Sequence, residues 1–264
     1  SSNRNKIIRN MNFLIDTHSH VYYDQYKDDL SSVINSAKEN GVERIICVGT
    51  DIKTSYESIE IANKYDNVFC TIGCHPHDTS KIQEGYIDEL EQMCKEPKVV
   101  AIGETGLDYY YNHSPHSIQK RCFIEHIELS KDVKMPVVIH NRNSDNDLMK
   151  ILKKYRPNGV VHCFSGDVDL ANEIIDLGLL LSFTGIITFN NSTLADVISK
   201  IDLDDFMLET DSPYLTPIPF RGRRNEPKHV KIIAEKIAKI KNLPIQKIAE
   251  HTTRNAYKLF HRLK

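Results

Sequence analysis

Short apolar runs rich in β-branched residues recur along the chain: "FLIDTH", "RIICVG", "VFCTIG", "VVAIGE", "PVVIH", "GVVHC", "LLLSFTG" and "FMLET". Each is separated from the next by a longer stretch whose apolar residues fall at helical spacing. "DDLSSVINSAKENG" puts Leu30, Val33, Ile34 and Ala37 on one face and stops at Gly41, and "DVDLANEIIDLG" repeats the arrangement up to Gly178. "YIDELEQMCKE" and "SIQKRCFIEHIELSKD" fill two further gaps, while "HVKIIAEKIAKIKN" and "IQKIAEHTTRNAYKLF" predict a helical tail. Near-continuous apolar strands alternating with helices imply a parallel sheet covered on both faces. Eight such units over about 250 residues fit a (β/α)8 TIM barrel, with a doubly wound open sheet as the alternative. The glycine-rich phosphate loop and the dinucleotide fingerprint that favour an open sheet are both absent. The reading is therefore an α/β chain with a polar N-terminal extension over residues 1–12 and one barrel domain over residues 13–264, ending in the helical tail.

Composition narrows the partners. The 264 residues carry 34 basic and 36 acidic side chains, a net of -2, so any polyanion site must be a local patch rather than a basic surface. The six cysteines include no CxxC pair, and Cys47, Cys70 and Cys163 lie in or beside apolar runs. Buried reduced thiols in a reducing compartment are the expectation, not a disulfide framework. No apolar stretch approaches the roughly 20 residues of a membrane span. Cytoplasmic placement is expected. The opening "SSNRNKIIRN" is polar and lacks an initiator Met, so targeting is not judged from it and nuclear or secreted placement stays open.

In a parallel barrel the active site lies where the strands end. The first run ends in His18 and His20, the third in His75 and His77, the fourth in Glu104, the fifth in His140, the sixth in His162 and the eighth in Asp211. Strand residues at i and i+2 share a face, so His18 and His20 aim at one point, with Asp16 behind them. Imidazole together with carboxylate oxygen is the donor set expected for zinc, manganese or a related divalent ion, and a carboxylate able to span two ions suits a two-metal site. A lone strand-end histidine is more often structural than a ligand. Convergence of several histidines and two carboxylates on one rim reverses that balance, because buried polar groups cost free energy unless partnered. His113, His116, His126, His229, His251 and His261 fall in loops or helices and keep the structural reading.

The blocks "IDTHSH", "IGCHPH", "AIGETGLDYYY", "PVVIHNR", "VHCFSG", "LETDSPYLTP" and "NEP", in this order, make the chain resemble the TatD-type metal-dependent deoxyribonucleases, a branch of the amidohydrolase-like barrels, from about Phe13 to Phe260. The resemblance implies two divalent ions, Mg²⁺, Mn²⁺ or Zn²⁺. His18 and His20 would hold one, His140 and His162 the other, and Glu104 would bridge them. Asp211 would be a ligand placed to take a proton from the attacking water, which makes Glu104 and Asp211 the catalytic pair. His75 would face the substrate or support a ligand from behind, and Arg142 would contact a phosphate. The implied reaction is hydrolysis of DNA phosphodiester bonds, exonucleolytic (3′–5′) on single-stranded ends, by a monomer without a membrane partner.

The segment after the eighth strand, "SPYLTPIPFRGRRNEPKH", adds Arg221, Arg223, Arg224 and Lys228 as candidate phosphate clamps, with Tyr214 and Phe220 as base-stacking surfaces. A solvated charged loop is the plainer reading of the same residues. Three alternatives remain: a metal-dependent deacylase acting on misacylated (D-aminoacyl) tRNA, a non-catalytic nucleic-acid or metal-binding barrel, and a more distant amidohydrolase. The last would be expected to place a carbamylated lysine where Glu104 stands.

Overall fold

A computed structural model describes residues 12–264, so the extension read over residues 1–12 lies outside the described residues save for Asn12. The strands are β1 (Leu14–Ser19), β2 (Val42–Val48), β3 (Val68–Ile72), β4 (Val99–Asp108), β5 (Val137–Arg142), β6 (Gly159–Val161), β7 (Leu180–Phe183) and β8 (Phe206–Leu208). They pair in parallel and in chain order. The intervening helices are α1 (Leu30–Glu39), α2 (Ile52–Lys64), α3 (Tyr86–Met93), α4 (His116–Asp132), α5 (Asp145–Tyr155), α6 (Val168–Asp176) and α7 (Leu194–Lys200), followed by α8 (Val230–Lys241) and α9 (Ile245–Leu259). The molecule is the single-domain TIM barrel that the alternation predicts, not the doubly wound sheet.

The strands are buried on both faces, which is why they read as unbroken apolar runs. Alternation divides their side chains between two cores. Ile45, Cys47, Val137 and Ile139 pack in one cluster with helix residues such as Val33, Phe123 and Leu148. Ile46, Val100, Val138, Val160 and Met207 pack in a second cluster with Ala256, Tyr257 and Phe260. The C-terminal tail therefore plugs the N-terminal end of the barrel, where Thr253 Oγ1 also donates to the carbonyl of Phe13. All six cysteines are free thiols, five of them buried. Among the described residues no helix is long and apolar enough to cross a membrane.

Closure of the barrel is what builds the site. Beyond β8 the chain continues as an irregular edge against β1: Asp211 N–H donates to His18 O and His20 N–H donates to Ser212 O, both at 2.8 Å. Asp16 locks the same seam, accepting the N–H of Thr210 at 2.9 Å and its hydroxyl at 2.6 Å. The seam sets Asp211 beside His18 and His20, residues nearly 200 positions earlier in the chain.

Candidate metal centre

Glu104 is buried at the middle of the cluster, and its two oxygens face different partners. Oε1 lies 3.1 Å from His18 Nε2 and 3.7 Å from His20 Nε2. Oε2 lies 2.9 Å from His162 Nε2, 3.0 Å from His140 Nδ1 and 3.3 Å from His75 Nε2. Asp211 Oδ1 closes the first side, 3.1 Å from His20 Nε2 and 3.4 Å from His18 Nε2. Three overlapping sets therefore have donor atoms within 4.8 Å of one another: His18 with His20 and Glu104, His18 with His162 and Asp211, and His75 with Glu104 and His140. β4 reaches this position by bending: Gly103 and Gly106 flank Glu104 with φ of 141° and 142°, and a side chain at Gly106 would collide with the carbonyl of His140.

The far side of each ring decides whether it can bind a cation. A ligand histidine needs one nitrogen protonated and held by an acceptor, which leaves the other lone pair free. His20 Nδ1–H donates to the carbonyl of Val48 at 2.8 Å, leaving Nε2 aimed at Asp211 and Glu104. His162 Nδ1–H donates to Glu209 Oε1 at 3.2 Å, and His140 Nε2–H donates to Asp108 Oδ2 at 2.8 Å. His18 Nδ1 is buried without a hydrogen bond, 3.7 Å from Glu209 Oε2. His75 differs from all of these. Its Nδ1 accepts the N–H of His77 at 3.1 Å, so its Nε2 carries the proton and donates to Glu104. His75 is thus a hydrogen-bond donor, while His18, His20, His140, His162, Glu104 and Asp211 fit a divalent-ion centre.

The buried imidazoles and carboxylates shift one another's titration. Burial favours the neutral form of Glu104, but the surrounding histidines, His162 foremost, hold its carboxyl well below the usual range. Burial likewise works against the charged form of His162, yet the carboxylates of Glu104 and Glu209 hold its pKa well above that of an ordinary histidine. His20 and His140 are raised against burial by Asp211 and Asp108 respectively. Burial above all, with the neighbouring His140 and His77, outweighs Glu104 and holds His75 down at about 4, which keeps it neutral.

Above the cluster opens a cavity of about 670 Å³, lined by His75, Arg142 and Tyr214 among others. Arg142 lies with its guanidinium 4.0 Å from the ring of Tyr110. The other expected clamps are not brought here. Arg221 and Arg223 lie outside the cavity lining: Arg221 covers Phe189 at 4.2 Å, and Arg223 faces a separate hollow beside Lys228. Arg224 is consumed by a fork to Asp29 at 2.7 and 2.9 Å and by Glu226, which also pairs with Lys228. Phe220 stacks on His229. Sequence adjacency to Asp211 misleads at these positions because the chain leaves the cavity lining after Leu215. His113, read from the sequence as a structural loop residue, lines the cavity, stacked parallel to Tyr111. Glu209 and Asp108, which accept from His162 and His140, stand in the quoted blocks without any linear signal of that pairing.

An eight-stranded parallel barrel whose strand ends converge four imidazoles and two carboxylates in this way belongs to the metal-dependent hydrolases. Residues 15–261 match the family described as TatD related DNase, and the chain is a member of that family. It is 43% identical over 251 residues to the uncharacterized metal-dependent hydrolase YabD of Bacillus subtilis (strain 168), covering 94% of this chain and 98% of that protein. It is 32% identical over 283 residues to Deoxyribonuclease Tat-D of Schizosaccharomyces pombe, covering 90% of each. The fold superposes on YJJV, a TatD homolog from Escherichia coli K12, with a TM-score of 0.90 at 29% identity over 95% of this chain and 99% of that one.

Proposed function

We propose that this hydrolase is a deoxyribonuclease that removes nucleotides from the 3′ ends of single-stranded DNA, with two divalent ions, Mg²⁺, Mn²⁺ or Zn²⁺, held by His18, His20, His140, His162, Glu104 and Asp211. The observation that carries the reading is the division of Glu104 between two sets of histidines, with Asp211 on one side only. When bound, such ions neutralise charge developing on a phosphodiester and lower the pKa of the attacking water. The fission-yeast relative named a deoxyribonuclease supports DNA as the substrate.

The chain's own groups then take distinct parts. Asp211 has a side chain 16% exposed against 4% for Glu104, so it is the carboxylate that water can reach from the cavity. Burial opposes its ionised form, but His20 and His18 hold its pKa below the usual carboxylate range, so at neutral pH it is free to accept a proton. His75 is neutral at the cavity wall, and its Nε2–H, donated to Glu104, holds that carboxylate in place. Arg142 supplies the fixed positive charge at the rim.

The test compares wild-type protein with Asp211→Asn on 3′-blocked, 5′-blocked and unblocked single strands, alongside D-aminoacyl-tRNA. Mononucleotide release that a 3′ block stops, and that Asp211→Asn abolishes, is the expected result. Deacylation of the tRNA with no DNA cleavage would replace the deoxyribonuclease reading.

A further inference from the structure

Residues 109–113, of which Tyr111 and His113 line the cavity, are in none of the candidate ion-binding sets, yet their side chains are unusual for a surface loop. Five large hydrophobic side chains are exposed among the described residues; two of them, Tyr111 (50%) and Tyr214 (52%), line the cavity, and a third, Tyr110 (54%), lies against Arg142 beside it. The loop is firmly held. Asp108 Oδ1 accepts the N–H groups of Tyr110 and Tyr111 at 3.1 and 3.2 Å. Tyr109 stacks on His116 with 3.6 Å between centroids, and its hydroxyl donates to Asp147 at 2.6 Å. A pinned loop that keeps half of two aromatic rings in water forgoes the free energy of burying them, so packing within the chain does not explain their orientation.

The planar groups form a series that leads to the metal centre. The Arg142 guanidinium lies 4.0 Å from the centroid of Tyr110 and 4.8 Å from that of Tyr111. His113 is parallel to Tyr111 within 12°, and the edge of Tyr111 meets His77 at 5.4 Å. His77 and His140 both donate to Asp108 Oδ2, with their rings 6.1 Å apart. The wall therefore begins one ring away from a residue of the centre, and it lies halfway round the barrel from Tyr214, which follows β8.

We propose that Tyr111, His113 and Arg142 form a stacking subsite for an unpaired nucleobase next to the scissile phosphate. This rests on the deoxyribonuclease reading and deepens it. Every base has a π face, so rings and a guanidinium plane accept any base without reading its edge. A paired base hides both faces in the duplex stack. The subsite thereby selects single-stranded or frayed ends and carries no sequence preference, while Arg142 adds charge attraction for the backbone beside it.

The test is a double-mutant cycle between ring and base. Wild-type, Tyr111→Leu and Tyr111→Phe proteins are assayed for KM on a single-stranded oligonucleotide and on copies made abasic at one terminal position at a time. Binding of a fluorescein-labelled oligothymidylate is measured in parallel in the Asp211→Asn background. Tyr111→Leu is expected to raise KM and Kd for the intact strand about ten-fold, and Tyr111→Phe to leave both unchanged. At one abasic position the loss caused by Tyr111→Leu should disappear, because the ring has no base to cover. Additive losses at every position, or an unchanged Kd in Tyr111→Leu, while wild type still cleaves the strand, would overturn the subsite alone. Failure of the wild type to bind or cleave the strand with Mg²⁺, Mn²⁺ or Zn²⁺ would overturn the deoxyribonuclease reading and the subsite with it.

Discussion

Glu209 Oε1 lies 3.2 Å from Nδ1 of His162, and the same oxygen accepts the N–H of the following residue, Cys163, at 2.5 Å. A buried carboxylate thus fixes both the tautomer of one expected ligand and the turn that carries it. Glu209→Gln keeps an oxygen for the Cys163 N–H and removes the charge behind the imidazole. It should weaken divalent-ion binding about 10- to 100-fold with little change in the unfolding midpoint of the stripped protein. Calorimetric titration of Mn²⁺ or Zn²⁺ into the chelator-treated variant checks this, and wild-type affinity would count against the role given to Glu209.

The arginines separate into two groups with different readouts. Arg142→Ala should raise KM for single-stranded DNA about ten-fold, since a stacked base and a charge-assisted phosphate contact are lost together. Arg221→Ala and Arg223→Ala should leave KM within about two-fold, because neither side chain lines the cavity. Arg224→Ala should instead lower the melting temperature at unchanged KM, since its fork holds Asp29 at the start of α1. Steady-state kinetics and thermal unfolding on the same four variants distinguish these outcomes.

His126 makes acid stability testable away from the centre. It is buried in α4, where Nε2 accepts the N–H of Cys74 at 3.0 Å and Nδ1–H donates to Cys122 O at 2.6 Å. Burial holds its pKa at about 4, below the ordinary value near 6.5. Between those values the unfolded chain binds the proton and the folded one does not. The stabilising contribution is therefore complete above about pH 6.5 and is lost as pH falls toward 4, to a total of about 3 kcal/mol. Urea denaturation of the metal-free protein across this range should show a shallower pH dependence in His126→Gln by about that amount. Equal slopes would mean that His126 is not held neutral.

Those residues also mark what could be read from the chain. β1 to β8, and the convergence of His18, His20, Glu104, His140, His162 and Asp211 on one rim, were legible because an apolar strand in a parallel barrel must end at that rim, so a polar residue just past the run has only one place to go. Asp108 and Glu209 were not, because their function is to hold another side chain, and nothing in a linear pattern pairs residue 209 with residue 162. The place of His113 on the cavity is hidden in the sequence for a related reason. Loop residues have no periodicity, and only the bonds from Asp108 to the Tyr110 and Tyr111 amides show that this loop presents its rings to the cavity. The sequence leaves Arg224 open between phosphate clamp and charged loop, because a positive charge near Asp211 looks the same whether it meets a phosphate or Asp29.

The central claim, hydrolysis of DNA by a divalent-ion centre built around Glu104, is tested most directly by metal add-back. The protein is stripped with chelator, supplied with Mg²⁺, Mn²⁺ or Zn²⁺ in turn, and assayed for nucleotide release from a labelled single strand, with Glu104→Gln in parallel. The account predicts no release before add-back and recovery with at least one ion. It also predicts that turnover in Glu104→Gln falls by at least about a thousand-fold while the melting temperature of the stripped protein is retained. Undiminished release by the stripped protein, or wild-type turnover by Glu104→Gln, would contradict it.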